Sequence, residues 1–233
     1  MQFYAGTSGF SYREWKGSFY PAALPAQEML HFYAANLPAV EINNTFYRLP
    51  TPSALRSWAE QVPEGFRFAI KASRRITHLK RLKGAGDETA YLMQTLEVLG
   101  PRLGVILFQL PPNLKKDVAR LRDFQELLPQ GVHAAFEFRH SSWQDPEVME
   151  SLRARGSVWC VSDTDESEGA LVDGSSWGYL RLRRSAYAET DLVRWIERAR
   201  AMNWEQTFVF FKHEDGAVGP RLARRFLELT RAG

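Results

Sequence analysis

A single cysteine, Cys160, stands in 233 residues. That excludes an internal disulfide framework and fits a reducing compartment. No stretch of about 20 apolar residues occurs, so no membrane span is expected. The opening residues, Met1 to Gly9, hold no basic cluster and no long apolar run, and so give no sign of a secretion signal. A cytoplasmic location is the resulting expectation. Charge of one sign is scarce too: 30 Lys and Arg against 27 Asp and Glu leave a net charge of +3. Such a balance permits an anionic ligand without marking a nucleic-acid binder. Histidine is limited to five residues, too sparse a supply for a multi-metal hydrolytic centre, so no metal site is assigned. Cofactor and oligomeric state stay open. With no linker, repeat or low-complexity stretch to divide it, the chain reads as one domain over 1–233.

What is present is an alternation of strand-like and helix-like segments. Apolar runs and period-two patterns predict strands over 3–8, 39–43, 66–71, 104–109, 133–138, 157–161, 177–182 and 207–211. Between them lie helical patterns with start and stop signals. Thr51 and Pro52 form an N-cap and first helical residue, Asp145 and Pro146 repeat that pair, Asp87 reads as a cap, and Gly100 reads as a stop. One gap breaks the rhythm: residues 163–176 are acidic and rich in Gly and Ser, and read as loop. Eight strands and seven helices in this order require a mostly parallel sheet with right-handed crossovers. The expected fold is α/β, a TIM-type (β/α)8 barrel with the helix between strands six and seven reduced to a loop.

In such a barrel the chemistry collects at the C-terminal ends of the strands. Those ends carry Glu41 and Asn43 on strand two, Lys71 on strand three, Gln109 on strand four, and Glu137, Arg139 and His140 on strand five. Strand six ends in Asp163, strand seven in Arg181 and Arg183, and strand eight in Lys212 and His213. Side chains two apart share a face of a strand. Glu41 with Asn43, Glu137 with Arg139, and Arg181 with Arg183 are therefore predicted to point together. Charged groups inside a barrel are costly unless paired. Two readings follow: a structural ion network that closes the barrel, or a site for an anionic or hydroxyl-rich ligand. Glu41, Glu137 and Lys71 are the candidate catalytic groups. Tyr12, Asn43, Gln109, Arg139, Arg181, Lys212 and His213 are the candidate ligand-binding groups.

At these residues the chain resembles the YecE-like family, domain of unknown function 72. The resemblance is carried by Gly6-Thr-Ser-Gly-Phe-Ser-Tyr12 with Trp15 and Phe19-Tyr20-Pro21, and by Glu41-Ile-Asn-Asn-Thr-Phe-Tyr47 with Pro50. It continues in Phe66-Arg-Phe-Ala-Ile-Lys71 with Ile76-Thr77-His78, in Phe108-Gln-Leu-Pro-Pro112 and in Glu137-Phe-Arg-His-Ser-Ser-Trp143. It implies a TIM-like barrel and brings no assigned reaction. Two departures stand out. Arg181-Leu-Arg-Arg184 replaces an Arg-x-His-Gly element, and Lys212-His-Glu-Asp215 replaces an Asn-Asn-Asp element, so this side of the mouth is more cationic than the family pattern.

The expected function is that of an enzyme, such as a hydrolase, acting on a phosphate-bearing or nucleotide-like substrate. Arg139, Arg181 and Lys212 would hold the anion, and Glu137 or Glu41 would move a proton. The rivals are a non-catalytic nucleic-acid or regulatory binding protein and a sugar-processing hydrolase. For the last, Glu41 and Glu137 come from strands two and five rather than four and seven, the commonest glycosidase pattern in barrels. Lys71 would be a nucleophile if desolvation and neighbouring cations lowered its pKa, but with two glutamates nearby an ion pair is expected. Arg183 and Arg184 are expected to be solvated surface charges. The aromatics Tyr12, Trp15, Phe46, Tyr47, Trp143 and Tyr187 are read as flanking the rim, Phe46 and Trp143 as loop packing.

Overall fold

The structure is a computed structural model and describes residues 1–172, 174–212 and 215–232. Eight parallel strands close into a barrel in sequence order. They are β1 (Gln2–Ser8), β2 (Ala39–Ile42), β3 (Arg67–Lys71), β4 (Leu103–Gln109), β5 (Ala134–Glu137), β6 (Val158–Asp163), β7 (Trp177–Leu182) and β8 (Gln206–Phe211). β8 pairs with β1 from Gln2 opposite Gln206 to Thr7 opposite Phe211, so no sheet edge is left open. Among the described residues, seven α-helices surround the strands: α1 (Met29–Asn36), α2 (Pro52–Gln61), α3 (Gly86–Leu96), α4 (Val118–Gln125), α5 (Pro146–Ala154), α6 (Glu189–Arg200) and α7 (Val218–Ala232). No helix occurs among the described residues between β6 and β7, as the acidic, Gly- and Ser-rich composition there predicts.

The start signals act as their chemistry demands. The Thr51 hydroxyl accepts from the Ala54 amide, the Asp117 carboxylate from the Arg120 amide, and the Asp145 carboxylate from the Glu147 amide. Asp87 differs from its expected role. It lies inside the first turn of α3, whose N-cap is Ala85, and there its charge complements the helix dipole instead of capping an amide. Before α3 the chain makes one π-helical turn, Arg75–Leu79, and then two left-handed residues, Arg81 (φ 51°) and Leu82 (φ 68°). The sequence pattern shows neither feature.

Two cores result. The larger packs the helices on the outside of the strands. The smaller fills the barrel with Ala39, Ala69 and Ala135 on one side and Tyr179, Phe208 and Phe210 on the other, with Val105, Leu107, Val158, Cys160 and Trp177 between. Small residues on β2, β3 and β5 thus leave room for large ones on β7 and β8. Cys160 is a packing residue of this inner core. Close approach of strands is forced at Gly6. A Cβ there would lie 1.9 Å from the Ala39 carbonyl oxygen and 2.9 Å from the Tyr33 hydroxyl, which itself donates to that carbonyl. No helix among the described residues is long and apolar enough to cross a membrane.

Candidate functional site

Register decides which strand ends meet. Ser8 of β1 stands opposite Glu41 of β2, and Gln109 of β4 stands opposite Glu137 of β5. Both pairs share the inward phase of the strands, so both hydrogen-bond directly. The Ser8 hydroxyl donates to Glu41 Oε1 at 2.7 Å, and Gln109 Nε2 donates to Glu137 Oε2 at 2.9 Å.

Arg181 crosses from β7 and joins the two halves. Its Nη2 donates to Glu41 Oε1 at 2.8 Å and its Nη1 to Glu137 Oε2 at 2.6 Å. Glu41 also accepts from Asn43 Nδ2 at 3.0 Å and, on Oε2, from the Tyr179 hydroxyl at 2.7 Å. Glu137 Oε1 accepts from Arg139 Nε at 3.1 Å, with Arg183 Nη1 at 4.0 Å. Both carboxylates and the guanidinium of Arg181 are buried. Burial pushes Glu41 and Glu137 toward the neutral form, but the adjoining Arg181 charge and the donated hydrogen bonds outweigh it. Glu41 is held below the usual carboxylate range and Glu137 down to about 2. Burial opposes the charge on Arg181, and its two carboxylate partners reverse that effect. The same burial, with Glu41 beside it, keeps the Tyr179 phenol protonated.

Lys71 ends β3 in a different environment. Its Nζ donates to Gln109 Oε1 at 2.9 Å and lies 4.3 Å from the centre of the Phe46 ring. No carboxylate lies within 4.0 Å of it among the described residues, so the expected ion pair is not formed. The neutral Gln109 amide stands between the lysine and Glu137. Partial burial, then the charge of Arg181, lowers the ammonium to about 8, although Glu41 and Glu137 favour the charged form. His78, on the π turn, packs nearly perpendicular to Phe46, with ring centres 4.8 Å apart. Burial and the charges of Lys71 and Arg139 hold it below its ordinary value.

The structure therefore brings Glu41, Asn43, Lys71, Gln109, Glu137, Arg139 and Arg181 to one mouth, in a bonded chain from Lys71 through Gln109, Glu137 and Arg181 to Glu41. Tyr12 lies outside that chain and donates its hydroxyl to the Ser8 carbonyl. Lys212 is exposed after the end of β8. His213 lies outside the described residues. Pattern reading missed Ser8 and Tyr179. Both were within reach of the period-two rule, since Tyr179 lies two residues from Arg181 and Ser8 ends β1.

Further expectations are corrected. Arg183 is only 20% exposed and approaches Glu137, and Arg184 is not a solvated charge. Its Nε donates to Asp163, which also accepts from Tyr187 and Trp195 on the helix side of β6. The acidic loop is held by Arg184, Arg194 and Arg198 through Glu168. Trp15 does not flank the rim either, being fully buried. Trp143 is a packing residue as expected, fully buried and donating its indole N–H to the Leu114 carbonyl. Phe46 is more than loop packing, since it forms the floor beneath Lys71.

Beside the mouth a cavity of about 590 Å³ opens between the loops after β1 and β2 and helix α2. Phe10, Tyr12, Leu30, Trp58, Asn43 and Gln61 line it, and Asn43 links it to Glu41. No three His, Cys, Asp or Glu side chains among the described residues are grouped to hold a metal ion.

A family model described as "Protein of unknown function DUF72" matches residues 4–233. The chain is 29% identical over 231 residues to the UPF0759 protein YunF of Bacillus subtilis, covering 90% of this chain and 78% of that one. It is 32% identical over 141 residues to the UPF0759 protein YecE of Escherichia coli strain K12, covering 58% of this chain and 52% of the relative. Among solved structures, a DUF72 family protein (TM1631) from Thermotoga maritima MSB8 superposes with a TM-score of 0.81 at 25% identity, over 99% of this chain and 100% of that one. A second, EF0366 from Enterococcus faecalis V583, gives 0.80 at 16% identity over 99% and 96%. With its barrel closed and the strand-end blocks gathered at one mouth, this chain belongs to the DUF72 family.

Proposed function

We propose that this protein is an enzyme acting on a phosphate-bearing substrate at the C-terminal mouth of its barrel. One observation carries the reading: among the described residues four cations, Lys71, Arg139, Arg181 and Arg183, share two mouth carboxylates, Glu41 and Glu137, so two positive charges are left unbalanced. Arg139 gives only Nε to Glu137, and its terminal amino groups meet no acceptor among the described residues. A planar donor fork of this kind suits a phosphate. Arg181 is not the anion holder in this reading, because its terminal nitrogens are already taken. Glu137, at about 2, is not the proton carrier. That role falls to Lys71, whose value of about 8 suits proton transfer near neutrality. The Phe10, Tyr12 and Trp58 cavity supplies a place for a ring on the same substrate, which favours a nucleotide-like molecule.

A sugar-processing hydrolase fits less well, since the Arg181 guanidinium fills the space between the two carboxyls that a glycosidic bond would need. A cytoplasmic location belongs to the proposal and is supported by the lone, buried Cys160. The test is a thermal-shift screen of inorganic phosphate, sugar phosphates and nucleoside monophosphates. Saturating ligand should raise the midpoint by about 5 °C or more. The rise should shrink in Arg139→Ala and Arg183→Ala. No response to any anion would remove the proposal. Binding of long nucleic acid without turnover would favour a binding protein instead.

A further inference from the structure

We infer that Lys71 is a covalent nucleophile, and that the substrate carries an aldehyde or ketone carbonyl as well as its phosphate, so that the two condense to an imine. The inference rests on the phosphate reading above and adds the second functional group.

The geometry is that of a lysine kept for chemistry rather than for charge balance. A lysine that merely closes the barrel would take the nearest carboxylate, and Glu137 is at hand on the neighbouring strand but one. Instead Gln109 is inserted between them. Its carbonyl accepts from Nζ and its amide faces Glu137, so both ends of the side chain are matched. Glu137 and Glu41 are taken by Arg181. Phe46 lies against the ammonium and keeps water from that side. The charged and titratable groups around the amine are Arg181, Arg139 and His78 together with the two neutralised glutamates. This surrounding lowers the ammonium to about 8, so a larger share of the free amine, the form that attacks, is present near neutral pH than in an ordinary lysine.

The step balances without an oxidant. The Nζ lone pair forms a bond to the carbonyl carbon, the C=O π pair moves to oxygen, and a proton passes from nitrogen to that oxygen. The carbinolamine then takes up one proton and loses water, leaving an iminium on Lys71. Water reverses the sequence. Arg139 and Arg183 would hold the phosphate arm while the carbonyl lies over Phe46.

The experiment uses the full chain with glyceraldehyde 3-phosphate and sodium cyanoborohydride, whose hydride reduces an iminium to a stable secondary amine. Intact mass and peptide mapping then locate the adduct among the seven lysines. One adduct on Lys71 is expected before any of the other six reacts, with a rate that rises to a plateau above about pH 8. Inorganic phosphate should slow it, and glyceraldehyde without the phosphate should react at least tenfold more slowly. Lys71→Arg keeps the charge and cannot condense. It should still respond to phosphate in the thermal-shift assay and should show no early adduct. Labelling spread evenly over the lysines, or equal labelling of Lys71→Arg, overturns the inference. If phosphate stabilises the protein yet Lys71 stays unmodified, the covalent step falls and the phosphate reading stands. If Lys71 reacts selectively but phosphate neither protects nor matters in the probe, the phosphate reading falls and the dual-function substrate with it.

Discussion

Gln109 separates Lys71 from Glu137, accepting from the lysine Nζ at 2.9 Å and donating to the carboxylate at 2.9 Å. Burial and the charge of Arg181 lower the lysine, and the neutral amide occupies the place where a carboxylate would oppose them. Gln109→Glu would give the lysine a direct anionic partner, and an opposite charge at hydrogen-bond distance stabilises the ammonium. The pH midpoint for modification of Lys71, about 8 in the parent, should move up by at least one unit. An unmoved midpoint would show that the neutral spacer does not tune the lysine.

Lys71 also bears on stability, in a direction opposite to most charged side chains. Its folded value of about 8 lies below the ordinary 10.5. Below pH 8 the lysine is charged in both states and the folded state carries the full penalty. Between 8 and 10.5 the unfolded chain binds more protons, so stability recovers as pH rises. Lys71→Met keeps the apolar stem over Phe46 and removes the penalty. After discounting for partial exposure, the gain at pH 7 is on the order of 1 kcal/mol, or roughly 2–4 °C in Tm. The gap between the two proteins should vanish above about pH 10.5. Calorimetry at pH 7 and pH 10.5 checks both arms.

Glu137 gives the opposite sign at the other end of the scale. Its folded value of about 2 lies below the ordinary 4.5. Its contribution is fully present above about pH 4.5 and is lost as pH falls toward 2, where the unfolded carboxylate binds the proton first. That contribution is on the order of 3 kcal/mol. Urea midpoints should fall steeply across this window in the parent and less steeply in Glu137→Gln. Parallel slopes would mean that the carboxylate is not held ionised by Arg181 and Arg139.

The parts of this site that are legible in the sequence depend on a local rule. Alternation along a strand pairs Glu41 with Asn43, Glu137 with Arg139, and Arg181 with Arg183, and it holds whatever closes the sheet. The barrel itself followed from eight strand patterns separated by helix signals such as Thr51-Pro52 and Asp145-Pro146. Cross-strand facts were not legible, because they depend on register. Nothing local says that Gln109 lies opposite Glu137 or that Ser8 lies opposite Glu41. Without those pairings, Lys71 reads as the natural partner of a glutamate. Tyr179 was hidden for another reason: an aromatic residue within an apolar strand looks like core, and most of its ring is core, with only its hydroxyl reaching Glu41. Trp15 errs the other way, since it follows a strand-end block in sequence but is turned inward by a single 3-10 turn.

Arg181 carries a large electrostatic stake, because it bridges two buried carboxylates from β2 and β5. Arg181→Met preserves the bulk of the stem and leaves Glu41 and Glu137 facing each other without a cation between them. Removing one partner from a buried ionic group costs about 3–5 kcal/mol, most of it the uncompensated charge of what remains. The triple variant Arg181→Met, Glu41→Gln, Glu137→Gln removes that charge while keeping volume and some hydrogen bonding, and should recover most of the loss. Chemical denaturation at pH 7 distinguishes the cases. A single variant within 1 kcal/mol of the parent would mean that the carboxylates do not depend on the guanidinium. A triple variant as unstable as the single one would mean that shape, not charge, makes Arg181 indispensable. The triple variant also separates structure from chemistry, since Lys71, Arg139, Arg183 and Phe46 all remain. If it folds and still binds phosphate, the anion is held by the cations that Arg181 leaves unoccupied, and the ion network beneath them is the support on which that site is built.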